Sequence, residues 1–211
     1  MNDALLKANE AYWIYDYTVA GKWDKDGSLL KSLSPGLKLI QIRIKELAGD
    51  ALFDQAKKYF EIIKASNPDC QVIMNDHIDL CQEMGMDGVH LGQGDDSIVS
   101  AREILGESKI IGLTVRSLTE AKVAQDLIEA GVLDYVGVGT VFETTTKQGL
   151  QAKGPEFIKD VFTLIEANKV YPIGGINKDN IHLLKAVGVH HVAICSELYK
   201  DPILDNYRGQ A

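Results

Sequence analysis

The sequence has little cysteine and no excess of positive charge, and both features exclude certain kinds of site and ligand. Its three cysteines, Cys70, Cys81 and Cys195, are odd in number and show no Cys-x-x-Cys spacing. Neither a disulfide framework nor a zinc site is therefore expected. The net charge is −8, which argues against non-specific nucleic-acid binding, because such binding needs a basic surface. Anionic small molecules stay open as ligands, since a local cluster of Lys and Arg can override the global sign.

Long apolar runs are also missing. The first ten residues mix Asn, Asp, Lys and Glu with a few leucines, unlike a signal peptide, and no stretch approaches membrane-spanning length. We therefore expect a cytoplasmic protein with no membrane partner. The chain has 211 residues, which is enough for one sizeable core and rather short for two. No Pro-, Gly- or Ser-rich linker divides it, so residues 1–211 are expected to form one domain.

Short apolar, β-branched runs alternate along the chain with longer amphipathic segments. The runs predict strands at Tyr12–Tyr15, Lys38–Ile42, Gln71–Met74, Gly88–Leu91, Lys109–Leu113, Tyr135–Val138, Tyr171–Ile173 and His191–Ile194. The segments between them predict helices at Lys25–Leu33, Leu52–Asn67, Ile78–Met84, Ser97–Leu105, Leu118–Ala130, Pro155–Asn168, Asn180–Val187 and from Glu197 onward. Repeated strand–helix units of this kind predict a compact, single-domain (β/α)8 TIM barrel. A doubly wound sheet is the alternative, but it rarely contains so many regular units.

The second predicted strand alternates apolar and polar residues. Within residues 39–45 the isoleucines share one face, and Gln41, Arg43 and Lys45 share the other. In a barrel the isoleucines would pack under the helices, and the polar residues would face the interior near the mouth. Two unpaired cations there would cost several kcal/mol, by order of magnitude, so they need a carboxylate or an anionic ligand. A solvent-facing edge strand is the alternative, which a closed barrel disfavours.

Acidic residues follow the next two predicted strands. Asn75-Asp76 ends the third strand, and Asp95-Asp96 comes shortly after the fourth. Carboxylates at neighbouring strand ends, close to Arg and Lys, suit Mg²⁺, which takes one or two carboxylates together with substrate oxygens and water. Each Asp could instead cap the helix that follows it. Two carboxylates at matching depth favour the metal.

Glycines and hydroxyls follow the last strands. Gly174-Gly175 comes after the seventh strand and Ser196 after the eighth, where barrels commonly bind phosphate through backbone amides. The loop after the sixth strand carries Thr144, Thr146 and Lys147, which can bind phosphate oxygens, although alone it would be read as a solvated loop. The sequence thus predicts one phosphate site on strands seven and eight, and a cationic, metal-capable site on strands two to four and six.

Taken in order from about Leu39 to Ser196, these segments resemble the thiamine-phosphate synthase family. The matching motifs are Gln41-x-Arg43-x-Lys45, Asn75-Asp76, Gly88-Val89-His90-Leu91-Gly92-Gln93-x-Asp95, Gly137-Val138-Gly139, Thr144-x-Thr146-Lys147 and Ile173-Gly174-Gly175-Ile176. Enzymes of that family join hydroxymethylpyrimidine diphosphate to hydroxyethylthiazole phosphate and release diphosphate. Their chemistry is dissociative, so the thiazole nitrogen captures a pyrimidine cation and no protein nucleophile is required.

The resemblance also implies roles for individual residues. Arg43, Lys45, Asn75 and Lys147 would hold the diphosphate, and Asp76 and Asp95 would hold Mg²⁺. Gln41, Thr114 and Thr146 would contact the pyrimidine or the diphosphate. Thr144 would contact the thiazole phosphate together with the amides at Gly175, Cys195 and Ser196. Both substrates are small phosphorylated molecules, and the sequence leaves the oligomeric state open, a homo-oligomer included.

Some positions depart from the family pattern. Ile44 stands where Glu is usual, His77 where Arg is usual, Glu143 where Pro is usual and Arg116 where His is common, while Thr114 keeps the hydroxyl of a usual Ser. Two other functions stay open beside the synthase. One is a thiazole tautomerase-like isomerase, which would not need the cationic and acidic cluster. The other is a non-catalytic protein that binds thiamine phosphate or a similar metabolite.

Overall fold

The computed structural model describes residues 11–144 and 151–203. Its eight strands are parallel and close into a barrel in chain order, with β8 pairing to β1. The strands are β1 Ala11–Asp16, β2 Leu39–Arg43, β3 Gln71–Asn75, β4 Gly88–Leu91, β5 Ile110–Val115, β6 Tyr135–Gly139, β7 Val170–Ile173 and β8 Val192–Ile194. The predicted (β/α)8 TIM barrel is confirmed, and each predicted strand coincides with an observed one to within two residues at either end.

The helices cover the outside of the barrel. They are α1 Tyr17–Trp23, α2 Ser28–Leu33, α3 Gly49–Ser66, α4 Ile78–Glu83, α5 Ile98–Leu105, α6 Leu118–Glu129, α7 Gly154–Phe162, α8 Ile181–Lys185 and α9 Glu197–Lys200, with 3₁₀ turns at Ser34–Gly36 and Ala167–Lys169. No helix in the described ranges has the length and apolar character that crossing a membrane requires.

The other predicted helices match to within three residues at either end, whereas α1 and α7 differ more. Helix α1 was not predicted, because Thr18, Val19 and Gly21 are weak helix formers; its start is fixed by Asp16, whose side chain accepts the Val19 N–H at 3.1 Å. Helix α7 was predicted to reach Asn168 and ends at Phe162. The hydroxyl of Thr163 donates to the Asp160 carbonyl at 2.7 Å, and bonds of this kind compete with the helical pattern.

The barrel strands bury two apolar layers. The outer layer lies between strands and helices and contains Ile40, Ile42 and Ile44, so the predicted outward face of β2 is confirmed. The inner layer consists of Tyr12, Ile14, Leu39, Ile73, Ile110, Tyr135, Tyr171 and Ala193. These side chains therefore fill the barrel interior and form the floor of its mouth.

A glycine on β5 makes room for the largest inner residue. A Cβ on Gly112 would lie 2.2 Å from Cζ of Tyr135, well inside van der Waals contact. The Tyr135 ring meets Tyr12 and Tyr171 edge-on, with centroids 5.8 and 5.0 Å apart, a favourable arrangement for aromatic pairs. The floor of the mouth is thus a tightly packed tyrosine layer.

Candidate active site

Two adjoining cavities open at the carboxyl ends of the strands. The larger has about 1010 Å³ of empty space and the smaller about 470 Å³, both including space open to solvent. The residues that line both cavities are Arg43, Asn75, His90, Thr114 and Arg116. The cavities are therefore two halves of one cleft, here called the mouth cleft.

Arg43 at the end of β2 has a carboxylate partner that the sequence analysis did not identify. It forms an ion pair with Asp16, which is 2% exposed and lies opposite it in the β1–β2 register. The signal was present in the sequence, because Asp16 is the first polar residue after an apolar run and parallel strands end at one edge. Part of the predicted demand for an anion is therefore met by the protein itself.

Lys45, Asp76 and Asp95 line the smaller cavity. Lys45 Nζ lies 2.7 Å from Asp76 Oδ2, and Asp95 Oδ2 accepts the Gly92 N–H at 2.6 Å. Helices α4 and α5 begin after His77 and Ser97, with no side-chain cap bond. The helix-capping interpretation of these aspartates is therefore wrong.

The aspartates of the smaller cavity suit a hard cation that also takes ligands from substrate and water. They are too few to enclose a metal with protein ligands alone. Among residues 11–144 and 151–203 no group of three or more His, Cys, Asp and Glu is placed to hold a metal. Two carboxylates, Asp76 and Asp95, face the same cavity. Mg²⁺ commonly binds through one or two carboxylates, with substrate phosphate and water supplying its other ligands. The residues present therefore fit Mg²⁺ shared with a phosphorylated ligand.

Two groups at the boundary of the cavities have donors to offer. The Asn75 side chain is 6% exposed, and its Nδ2 has no hydrogen-bond partner within the described ranges. A buried donor without an acceptor costs about 1–3 kcal/mol. The Arg116 side chain is half-buried and forms no ion pair with the residues described. Both groups line both cavities, where an anionic ligand would supply the missing acceptor.

A chain of hydrogen bonds runs from the tyrosine layer up to the mouth cleft. Gln41 Nε2 donates to the Tyr12 hydroxyl at 2.7 Å, which lies 2.8 Å from the Tyr135 hydroxyl. His90 contacts Tyr135 through Nδ1 at 3.1 Å and Thr114 Oγ1 through Nε2 at 2.9 Å. We call these five residues the relay. From the sequence, His90 was placed only within a family motif and given no role, and Tyr12 and Tyr135 were missed.

Both phenols of the relay keep their protons at neutral pH. Burial is the main cause that raises the pKa of Tyr12 above its usual value. Burial likewise raises the pKa of Tyr135 well above 10.0, and the nearby Tyr12 hydroxyl adds to the shift. Each hydroxyl therefore has one hydrogen to donate.

The loop after β7 contributes the other end of the cleft. Gly174 and Gly175 have φ angles of 103° and 65°, and a Cβ on Gly175 would lie 2.3 Å from the Glu143 carbonyl oxygen, so only glycine fits both requirements. The Phe142 N–H donates to the Gly174 carbonyl at 2.9 Å, and Asn180 Nδ2 donates to the Gly175 carbonyl at 2.8 Å. These bonds fix the glycine pair from both sides.

The predicted phosphate residues lie in the larger cavity. Its lining includes Gln41, Thr144, Gly175, Cys195 and Ser196, besides the shared residues. Thr146 and Lys147 lie outside the described residues. The family resemblance gave roles to thirteen residues, and eleven of them line this one cleft.

A family model and several known relatives match most of this chain. The family model described as Thiamine monophosphate synthase matches residues 12–198. A thiamine-phosphate synthase from Fusobacterium nucleatum is 35% identical over 196 residues, covering 93% of this chain and 92% of that protein. One from Methanosarcina mazei is 37% identical over 181 residues, covering 85% of this chain and 72% of that protein.

Solved structures agree with this result. A thiamine phosphate pyrophosphorylase from Pyrococcus furiosus superposes with a TM-score of 0.73 at 28% identity, covering 93% of this chain and 90% of that chain. A 3-hexulose-6-phosphate synthase from Salmonella typhimurium superposes with a TM-score of 0.66 at 14% identity and covers 94% of both chains. The second likeness concerns the fold alone.

Proposed function

This chain belongs to the thiamine monophosphate synthase family, and from that premise we propose how its mouth cleft divides the work of the reaction. The chain is a transferase that condenses hydroxymethylpyrimidine diphosphate with hydroxyethylthiazole phosphate to give thiamine phosphate and diphosphate. One observation carries the division: Lys45, Asp76 and Asp95 line only the smaller cavity, whereas the glycine pair and Ser196 line only the larger one.

The smaller cavity binds the diphosphate in this proposal. Arg43, Lys45 and Asn75 donate to its oxygens, and the family resemblance adds Lys147, which lies outside the described residues. The ion pairs with Asp16 and Asp76 hold the two cations in place before the substrate arrives. As the bond from the pyrimidine methylene carbon to the diphosphate oxygen breaks, negative charge grows on the leaving group. Donors already aimed at that charge lower the barrier most.

Asp76 and Asp95 would hold Mg²⁺ at the edge of the same cavity. When bound, the cation neutralises charge on the diphosphate. The protein contributes the positions of the two carboxylates, one held by Lys45 and the other by the Gly92 N–H. This support keeps each carboxylate oriented in the absence of substrate.

The larger cavity binds the thiazole phosphate. We assign its phosphate to Thr144 and to the backbone amides of Gly175, Cys195 and Ser196. Gln41, Thr114 and Thr146 contact the pyrimidine or the adjoining diphosphate. With the two substrates in adjoining halves of one cleft, the thiazole nitrogen faces the carbon that loses the diphosphate and donates its lone pair to it. No side chain needs to act as nucleophile.

The cationic and acidic side chains of the smaller cavity favour the synthase reaction over an isomerase. A thiazole tautomerase-like isomerase has no diphosphate to hold, so it would not need Arg43, Lys45 and two aspartates in one cavity.

We further propose that residues 1–211 form a single domain acting in the cytoplasm, where the free thiols of Cys70 and Cys81 would stay reduced.

Kinetics with each substrate varied separately test the division of the cleft. Arg43→Ala should lower the rate and raise KM for the pyrimidine diphosphate, because it removes a charged donor worth about 1.5–3 kcal/mol, roughly ten- to a hundredfold. Thr144→Val should raise KM for the thiazole phosphate only, because it removes the side-chain hydroxyl assigned to that phosphate. Lys159→Ala, in an exposed pair on α7, is the control and should behave like the wild type. Equal effects of the first two variants on both substrates would contradict the assignment.

A further inference from the structure

The relay has a direction, and the direction decides what Thr114 can offer to a ligand. Gln41 presents Nε2 to the Tyr12 hydroxyl, and an amide nitrogen only donates. The Tyr12 hydroxyl therefore accepts from Gln41 and has one hydrogen left. Its other neighbour within the described ranges is the Tyr135 hydroxyl at 2.8 Å. Tyr12 therefore donates to Tyr135.

The next two steps follow from the same count of hydrogens. Tyr135 receives the hydrogen of Tyr12, so its own hydrogen points to His90 Nδ1 at 3.1 Å. Nδ1 then accepts, and the ring proton resides on Nε2. Nε2–H donates to Thr114 Oγ1 at 2.9 Å. The opposite order of Tyr12 and Tyr135 would leave the Tyr12 hydrogen without an acceptor in a fully buried layer, which is a costly defect.

We infer that Tyr12 and Tyr135 are positioning residues, which hold His90 as the Nε2–H tautomer and thereby leave the Thr114 hydroxyl hydrogen free to bond the substrate diphosphate. This inference rests on the proposed function. Thr114 lines both cavities, beside Arg43. Because Thr114 accepts from His90, its own hydrogen is directed elsewhere, and diphosphate oxygens are acceptors only.

The other tautomer would work against the reaction. With the proton on Nδ1, Nε2 would accept the Thr114 hydrogen, and Thr114 would turn its lone pairs toward the anion. The diphosphate would then lose the Thr114 hydrogen as a donor and would face the lone pairs of the Thr114 oxygen, which repel its growing negative charge. Tyr12 and Tyr135 therefore set the direction of a hydroxyl hydrogen that neither tyrosine contacts.

The tautomer can be measured directly. Long-range proton–nitrogen NMR spectra of the intact chain labelled with ¹⁵N-histidine report which ring nitrogen carries the proton, and the chain has five histidines to distinguish. The His90 signals are assigned as those altered in Tyr135→Phe. We expect the Nε2–H pattern in the wild type and a mixture of tautomers in Tyr135→Phe. An Nδ1–H pattern in the wild type would overturn the inference, whatever the behaviour of the variant.

Kinetics supply the second readout. Tyr135→Phe should lower kcat by up to about a hundredfold, since full loss of such a donor costs roughly a hundred- to a thousandfold and the variant loses it only in part. KM for the thiazole phosphate should stay unchanged. Tyr12→Phe should cost less, because Tyr135 can still donate to His90. Tyr171→Phe removes a hydroxyl from the same layer but not from the relay, and should match the wild type. Equal losses of kcat in all three variants would indicate that the tyrosines have only a structural role, and would contradict the inference.

The two proposals can fail separately. If the wild type forms no thiamine phosphate, the proposed function fails, whereas the NMR spectrum still decides the tautomer. If the wild type is active and His90 carries its proton on Nδ1, the function stands and the relay inference is wrong.

Discussion

Replacing Gly112 with alanine should displace the ring of Tyr135 and destabilise the barrel. The added methyl carbon would lie 2.2 to 2.5 Å from Cζ, Cε1 and the hydroxyl oxygen of Tyr135, whereas carbon atoms prefer about 3.5–4.0 Å. The ring has little room to retreat, because Tyr12 and Tyr171 pack against it at 5.8 and 5.0 Å. Overpacking costs roughly 1–3 kcal/mol, and the two hydrogen bonds of Tyr135 add about 1 kcal/mol each if they break.

We therefore expect Gly112→Ala to lower the free energy of unfolding by about 3 kcal/mol or more, measured by urea denaturation with an unchanged m-value. Gly21→Ala is the matched control: position 21 lies in α1, and nothing is within 4 Å of its added Cβ. It should stabilise the chain by about 0.5–1 kcal/mol, because alanine restricts the unfolded chain more than glycine does.

The source of the loss can be checked by a double substitution. Tyr135→Leu removes the three atoms that the new methyl group would meet, so combining it with Gly112→Ala should cost less than the sum of the single changes. A Gly112→Ala protein within 1 kcal/mol of the wild type, which is the usual net worth of one hydrogen bond, would refute the claim that the tyrosine layer is rigid.

Three further predictions concern the cleft and the lower end of the barrel. Arg116→Gln should weaken binding of inorganic diphosphate about tenfold in calorimetry, because it removes a cation at the shared boundary of the cavities; unchanged binding would place Arg116 outside the anion site. Asp76→Asn should raise the Mg²⁺ concentration needed for half-maximal activity, with little change in KM for the thiazole phosphate, and an unchanged Mg²⁺ requirement would argue against this ligand. Burial, aided by the charge of His190, lowers the pKa of His191 from 6.5 to about 4. The unfolded chain therefore binds the proton more readily, and stability should fall by about 3 kcal/mol as pH drops from 6.5 toward 4; His191→Phe should flatten this slope in urea denaturation, and an unaltered slope would contradict the shift.

Sequence patterns predicted the parts of the molecule that depend on one strand at a time. Alternation along β2 placed Gln41 inside and the isoleucines outside, because neighbouring residues of a strand point to opposite faces. The strand ends located the cleft, because parallel strands in a barrel share one carboxyl end. Such inferences need no knowledge of which strands touch.

Contacts between distant strands were not predictable in the same way. Tyr12 and Tyr135 are 123 positions apart, and only the closed barrel brings their hydroxyls together. The pairing of Asp16 with Arg43 depends on the register of β1 against β2, which spacing along the chain does not fix. Asp76 was read as a cap or a metal ligand, and its contact with Lys45 emerged only when the ends of β2 and β3 were seen side by side.

Formation of thiamine phosphate by the purified chain is the most direct test of the proposed reaction in the mouth cleft. The assay supplies hydroxymethylpyrimidine diphosphate and hydroxyethylthiazole phosphate, with and without Mg²⁺, and compares the wild type with Arg43→Ala. We expect product and released diphosphate that require Mg²⁺ and are largely lost in the variant. Binding of the thiazole phosphate without any product would contradict it, and would favour a tautomerase or a binding protein built on the same barrel.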